Sequence, residues 1–243
     1  MTNPLSTRHL LALGLAYRSL AVAFAYPAPG SEASEPDSLA ENLRTGLEML
    51  AEEGDWGAAV AAVCQAAGLL HTAGHSLEEE HTYLFARQAP VSPYESRYLG
   101  PLASASLHSM VDVAAFYKAF GFQVAQEANE LADYVGAELE FIGLLCLKEA
   151  YALENQWNEQ AATCSTARAA FLRDHLGRWF PAFAAGLRAK ARLPWYPALA
   201  DLGSALLAYD QAILGVAPEL VPAPQASIPG PEAAPVEEGA CPT

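Results

Sequence analysis

The sequence predicts an all-α protein: a single-domain helical bundle over residues 1–215, followed by a disordered tail rich in Pro, Ala and Glu over residues 216–243. Apolar residues recur at steps of three and four along most of the chain, the period that gives a helix one buried side. Runs of β-branched residues are scarce while Ala, Leu and Glu abound, the composition of good helix formers. From residue 216 the apolar period stops, and a segment without lysine or arginine follows that buries too little surface to offset its ordering. At 243 residues and 52% hydrophobic content, the chain is long enough for one sizeable core.

Each element has its own signal. In residues 10–25, Leu10, Leu13, Tyr17, Leu20 and Phe24 alternate steps of three and four, and Arg18 in their midst excludes a signal peptide or membrane span. This is the first core helix. The run Tyr26-Pro27-Ala28-Pro29-Gly30 ends it, and a second helix covers about 36–53. Asp55 supplies a cap for a third helix through about residue 73, ahead of Gly74. Ser76 and Glu79 have capping-box spacing and open a fourth helix that ends near residue 88. Pro90, Pro93, Gly100 and Pro101 then preclude a continuous helix. A fifth helix covers about 104–120 and a long sixth about 130–156. Residues 158–190 read as one broken helix or two consecutive ones, with Pro181 a kink or first-turn residue. Pro194 and Pro197 introduce the last helix, which runs to about residue 214.

The formal net charge of −15 and a pI near 4.7 oppose the phosphate backbone, so nucleic acid is excluded as a partner. An acidic surface attracts a basic ligand, and it also serves solubility alone; both readings stay open. Cys64, Cys146, Cys164 and Cys241 include no pair two residues apart, so zinc and thioredoxin-type motifs are missing, and the chain reads as a reduced, cytoplasmic protein. His71, His75 and His81, beside Glu78, Glu79 and Glu80, invite a metal reading. Gly74 and the cap at Ser76 interrupt the helix between them and no HExxH motif exists, so no metal site is expected. His175 follows Asp174 but lacks a nucleophile elbow, which leaves a structural or solvent-facing histidine and no catalytic residue.

Residues 129–155 are the most informative stretch. They set Asp133, Glu138 and Glu140 against the period of Leu131, Val135, Leu139, Ile142 and Leu145. Seven residues apart, Asp133 and Glu140 fall on one side of such a helix, about 10 Å from each other at its rise of 1.5 Å per residue, a spacing suited to a basic peptide. Local structure competes: Asp133 as a helix cap, Glu138 at the positive helix start, Glu140 paired with a neighbouring helix. In the loop of residues 94–100, Tyr98 and Leu99 offer contacts for an apolar peptide segment and Gly100 a tight turn, with packing over the core as the alternative. Of Phe116 and Tyr117 one belongs to the core, and Asp112, four residues before Phe116, borders the groove.

Two blocks resemble the TorD/DmsD/NarJ family of chaperones for molybdenum oxidoreductases. The first is Tyr94-Glu95-Ser96-Arg97-Tyr98-Leu99-Gly100, followed by Met110-Val111-Asp112-Val113-Ala114-Ala115-Phe116-Tyr117. The second is Asp133-Tyr134-Val135-Gly136-Ala137-Glu138-Leu139-Glu140-Phe141, where the family usually reads Pro-Asp-His-Leu and shortly afterwards Glu-Leu-Glu-Phe. Ala132 stands for the proline and Tyr134 for the histidine. Weaker likeness reaches residues 17–27, Asp174-His175-Leu176 and Trp179, so most of residues 5–215 is covered. The resemblance implies a TorD-like bundle and a cytoplasmic, non-enzymatic chaperone without cofactor. It would bind the immature catalytic subunit of a molybdenum oxidoreductase through its twin-arginine leader, assist molybdopterin insertion and delay export. It would be a monomer or a domain-swapped dimer without stable membrane insertion. The peptide contacts expected are Tyr94, Glu95, Tyr98, Leu99, Gly100, Asp112 and Phe116 from the first block, with Asp133, Tyr134, Glu138 and Glu140 from the second. The competing expectations are a small helical metal-binding enzyme and a generic acidic helical adaptor.

Overall fold

The computed structural model describes residues 5–27, 35–50, 56–74, 76–86, 89–99, 103–124 and 130–222, with backbone alone for 103–106. These form an all-α fold. Its helices are α1 (Thr7–Phe24), α2 (Pro36–Glu48), α3 (Gly57–Leu70), α4 (Leu77–Phe85), α5 (Ala103–Ala119), α6 (Val135–Glu154), α7 (Asn158–Asp174), α8 (Leu176–Lys190) and α9 (Trp195–Leu214), with a 3₁₀ turn at Glu95–Arg97. Asp55, Gly100 and the segment 223–243 lie outside the described residues.

α1 and α6 form the central pair. Leu10, Leu13, Tyr17, Leu20 and Phe24 are fully buried, as their period predicts, and Ser6 caps the helix by accepting from the His9 amide at 3.2 Å. The two helices run antiparallel and meet through small residues. A Cβ on Gly14 would lie 3.3 Å from the Gly143 carbonyl, and one on Gly136 would lie 3.2 Å from that of Ala21. Close approach of this kind lets the flanking side chains interlock across the seam.

α8 and α9 complete the core with aromatic side chains. Phe180 and Phe183 meet Phe24 edge-on at 6.4 and 5.5 Å, and Tyr196 stacks on it at 6.3 Å. Residues 158–190 form two consecutive helices, since the chain turns at His175 (φ −125°, ψ −104°), and Pro181 sits inside α8 on its exposed side. The turn depends on Gly177. A Cβ there would collide with the Leu172 carbonyl and lie 2.6 Å from Gln211 Nε2 and 2.7 Å from Pro218 Cγ. Gly177→Ala is therefore expected to destabilise by about 1–3 kcal/mol, the usual range for overpacking. Thermal melting checks it, and an unchanged Tm would mean that α8 can shift to make room.

Ser76 and Glu79 form the expected capping box: the Glu79 amide donates to Ser76 Oγ at 3.2 Å, and the Ser76 amide to Glu79 Oε2 at 3.0 Å. Two boundaries need correction. α2 ends at Glu48 rather than near residue 53. α6 begins at Val135 rather than near residue 130, because the preceding residues bond to another segment: the Val135 amide donates to the Pro93 carbonyl at 2.8 Å and the Glu95 amide to that of Asp133 at 3.0 Å. Leu131 accordingly lies off the helix and is 48% exposed. Asp133 and Glu140 do not share a helical face. Among the described residues, no helix is long and apolar enough to cross a membrane.

Candidate functional site

Three carboxylates meet inside the molecule where the loop of residues 92–99, the turn of residues 130–134 and the start of α6 are laced together. Tyr94 and Tyr134 form an antiparallel bridge. The Ser96 amide donates to Asp133 Oδ2 at 2.9 Å, the Tyr98 hydroxyl to the Ser92 carbonyl at 2.8 Å, and the Tyr94 hydroxyl to Glu130 Oε2 at 2.6 Å. Helix α5 is tied to the same place by the Tyr117 hydroxyl, which donates to the Ala132 carbonyl at 2.8 Å. The Tyr134 hydroxyl reaches the Phe24 carbonyl at 2.6 Å, fastening the turn to the end of α1. The loop is thus held mainly by polar side chains bonded to backbone.

Glu95, Asp133 and Glu138 are 1%, 0% and 0% exposed. Of the expected set Asp133, Glu138 and Glu140, the first two thus face inward with Glu95: Asp133 accepts from the loop amide of Ser96, and it does not cap α6, whose N-cap residue Tyr134 makes no side-chain cap bond. Glu138 accepts from Trp179 Nε1 at 3.1 Å. Burial, then the charge of Glu95, pushes the Glu138 carboxyl well above its ordinary range, the Trp179 bond pulls it partway back, and Asp133 adds to the rise. Among the described residues Asp133 Oδ1 and Glu138 Oε1 have no hydrogen-bond partner. His175 stands between Glu95 and α5. Its Nδ1 is 3.3 Å from Glu95 Oε2, and its Nε2 lies 3.2 Å from Asp112 Oδ2, too poorly aligned to count as a hydrogen bond.

The other expected site residues divide between interior and rim. Tyr98 and Tyr134 are buried: Tyr98 packs on Trp179 at 5.2 Å and Tyr134 on Tyr94 at 5.8 Å. Phe116 is half-buried against Phe171 and His175, while Tyr117 is the core member of that pair. Tyr94 and Leu99 are half-buried, Glu140 is exposed, and the Asp112 side chain is 63% exposed. Gly100 lies outside the described residues.

His175 and Trp179 are the members of this cluster that the sequence left without a role there. Their only signal was the weak likeness around residues 174–179, since nothing local announces which distant carboxylate a buried indole will meet. Of the histidines weighed as metal ligands, His71 pairs with Asp37 at 2.9 Å and His81 with the Phe24 carbonyl at 3.2 Å, while His75 is outside the described residues.

Comparison with known proteins adds a family to this geometry. The model of the nitrate reductase delta subunit family matches residues 49–185, more than half of the chain and all of the segments that build the carboxylate cluster. The chain is 29% identical over 132 residues to a chaperone protein TorD of Photobacterium profundum, covering 54% of this chain and 60% of that one. It is 34% identical over 93 residues to a perchlorate reductase assembly chaperone protein of Dechloromonas aromatica, covering 38% and 41%. To a selenate reductase assembly chaperone protein of Thauera selenatis it is 31% identical over 132 residues, covering 52% and 66%. The chain thus spans 41% to 66% of the length of these curated relatives. The chain belongs to the nitrate reductase delta subunit family, the TorD/NarJ family that its two sequence blocks resemble.

Proposed function

We propose that this protein is a cytoplasmic, non-enzymatic assembly chaperone that binds the immature catalytic subunit of a molybdenum oxidoreductase through its twin-arginine leader and holds it while the molybdopterin cofactor is inserted. The names of its relatives support the role, three of them being assembly chaperones of reductases. The observation that carries the reading is the exposure of acidic and apolar side chains on α5, α6 and the turn before α6, the elements around the buried carboxylates. Asp112 and Glu140 reach solvent, and Leu107, Val111 and Leu131 are 62%, 62% and 48% exposed. Exposed acidic and apolar side chains complement a leader whose basic end is followed by an apolar stretch. In this reading these exposed side chains touch the peptide, while Glu95, Asp133 and Glu138 fix the loop beside them.

Calorimetric titration with a candidate client's leader peptide tests this. Scrambling the arginine pair should abolish binding; equal affinity for the scrambled peptide would defeat the proposal in favour of a generic adaptor. Glu140→Lys should weaken binding by roughly 3–10-fold at low ionic strength, a gap that narrows at about 0.5 M salt because exposed charges are then screened. Its melting temperature should stay that of the wild type, since Glu140 is exposed and packs no core.

A further inference from the structure

An apolar groove of about 590 Å³ lies where the end of α5 meets the second half of α6 and the start of α7. Phe120, Leu147, Tyr151 and Trp157 line it, and among the described residues its one charged lining side chain is Lys148; Glu154 and Glu159 do not line it. Exposed Lys118 directly precedes the lining residue Ala119, so two of the three lysines in this acidic chain adjoin one groove. Tyr151 and Trp157 remain 62% and 48% exposed although they meet edge to face at 5.6 Å. Gln156 takes a left-handed backbone (φ 60°) on the way, and the Trp157 amide closes the turn onto the Ala152 carbonyl at 2.8 Å.

We propose that this groove receives the chain's own C-terminal segment, residues 224–238, with prolines on Tyr151 and Trp157 and Glu237 or Glu238 at Lys148. The inference is independent of the leader-binding reading. Pro224, Pro229, Pro231 and Pro235 punctuate the segment, and Glu232, Glu237 and Glu238 are its only charges. Proline-rich segments suit aromatic-lined grooves because fixed φ angles lower the ordering cost, and the carboxylates match the lysine. Length permits it. The described residues end at Pro222, just after the Val221 amide donates to the Arg178 carbonyl at 3.1 Å. From Arg178 back along α7 to Thr163 is roughly 20 Å at the helical rise, whereas the 15 residues from 223 to 237 reach about 45 Å at the extension of a polyproline helix. Covalent attachment raises the local concentration to about millimolar, so even a weak site fills.

Tryptophan fluorescence of the full chain reads this directly. Trp56, Trp179 and Trp195 are 7%, 0% and 0% exposed, leaving Trp157 as the indole that acrylamide reaches. Reversing the tail charges with Glu237→Lys and Glu238→Lys should raise quenching roughly twofold, as should Lys148→Glu alone, because a tethered weak contact empties once its ion pair is lost. Combining all three substitutions restores the pair in swapped form and should return quenching to the wild-type level. Unchanged quenching after tail reversal, or no recovery in the combined variant, overturns the proposal. Shielding that disappears on dilution from about 100 to 1 µM also overturns it, placing a second copy's segment in the groove.

Discussion

Replacing Arg168 with methionine is expected to destabilise the fold by about 3–5 kcal/mol, the range for breaking one partner out of a buried ion pair. For a chain of this size that corresponds to a loss of roughly 6–20 °C in Tm. Arg168 is fully buried in α7. Its Nη1 donates to Asp210 Oδ1 of α9 at 2.5 Å and its Nη2 to Glu149 Oε2 of α6 at 3.1 Å, while the Tyr17 hydroxyl of α1 donates to Asp210 Oδ2 at 3.0 Å. The guanidinium joins three helices, and Asp210 adds α1 as the fourth. Burial works against its charge, but Asp210 and Glu149 more than offset that and keep it protonated.

The pH dependence follows from the carboxylates. Burial raises Asp210 and Glu149 above their ordinary range, and Arg168 pulls both partway back. Without the guanidinium both rise further. A carboxyl raised in the folded state contributes stability that is present below its unfolded value and lost as pH climbs through its folded one. The deficit of Arg168→Met should therefore be larger at pH 8 than at pH 5. Adding Glu149→Gln and Asp210→Asn should recover much of it, because a neutral, filled interior replaces two stranded charges. A single variant that melts with the wild type would show that water reaches the cluster.

The helices most legible in the sequence are those whose signals are local. Five fully buried residues of α1 follow their own period, and the capping box at Ser76 needs only the backbone three residues away. The start of α6 was hidden for the opposite reason. Leu131 and Val135 continue a helical period, but hydrogen bonds to Pro93 and Glu95, about 40 residues earlier, draw residues 130–134 into a turn. The candidate site suffers most from this dependence on distant partners. Asp133 and Glu138 were legible as important carboxylates, yet their burial is decided by Ser96 on one side and Trp179 on the other. Asp112 and Glu140 reach solvent, since among the described residues neither meets an element that covers it.

Trp179→Phe should cost about 2–4 kcal/mol, combining a lost buried hydrogen bond with the smaller ring's incomplete packing. Phenylalanine retains an aromatic face toward Tyr98 and Phe183, which sit 5.2 and 5.5 Å from the indole, so the shared core survives. What disappears is the Nε1 donor to Glu138. That bond is the one influence lowering the Glu138 carboxyl against burial, Glu95 and Asp133. Losing it makes Glu138 hold its proton to still higher pH in the folded state. Glu138 already contributes stability that is complete below its unfolded value of 4.5 and drains as pH rises through the folded one, and the substitution extends that loss. The deficit of Trp179→Phe should thus grow as pH rises through the folded transition of Glu138, and in a Glu138→Gln background this growth should vanish while the packing cost remains. Melting curves of the four proteins over a pH series from 5 upward separate the two contributions. A deficit independent of pH in both backgrounds would show that the indole only fills space, and that the ionised carboxylate is steadied by something other than Trp179.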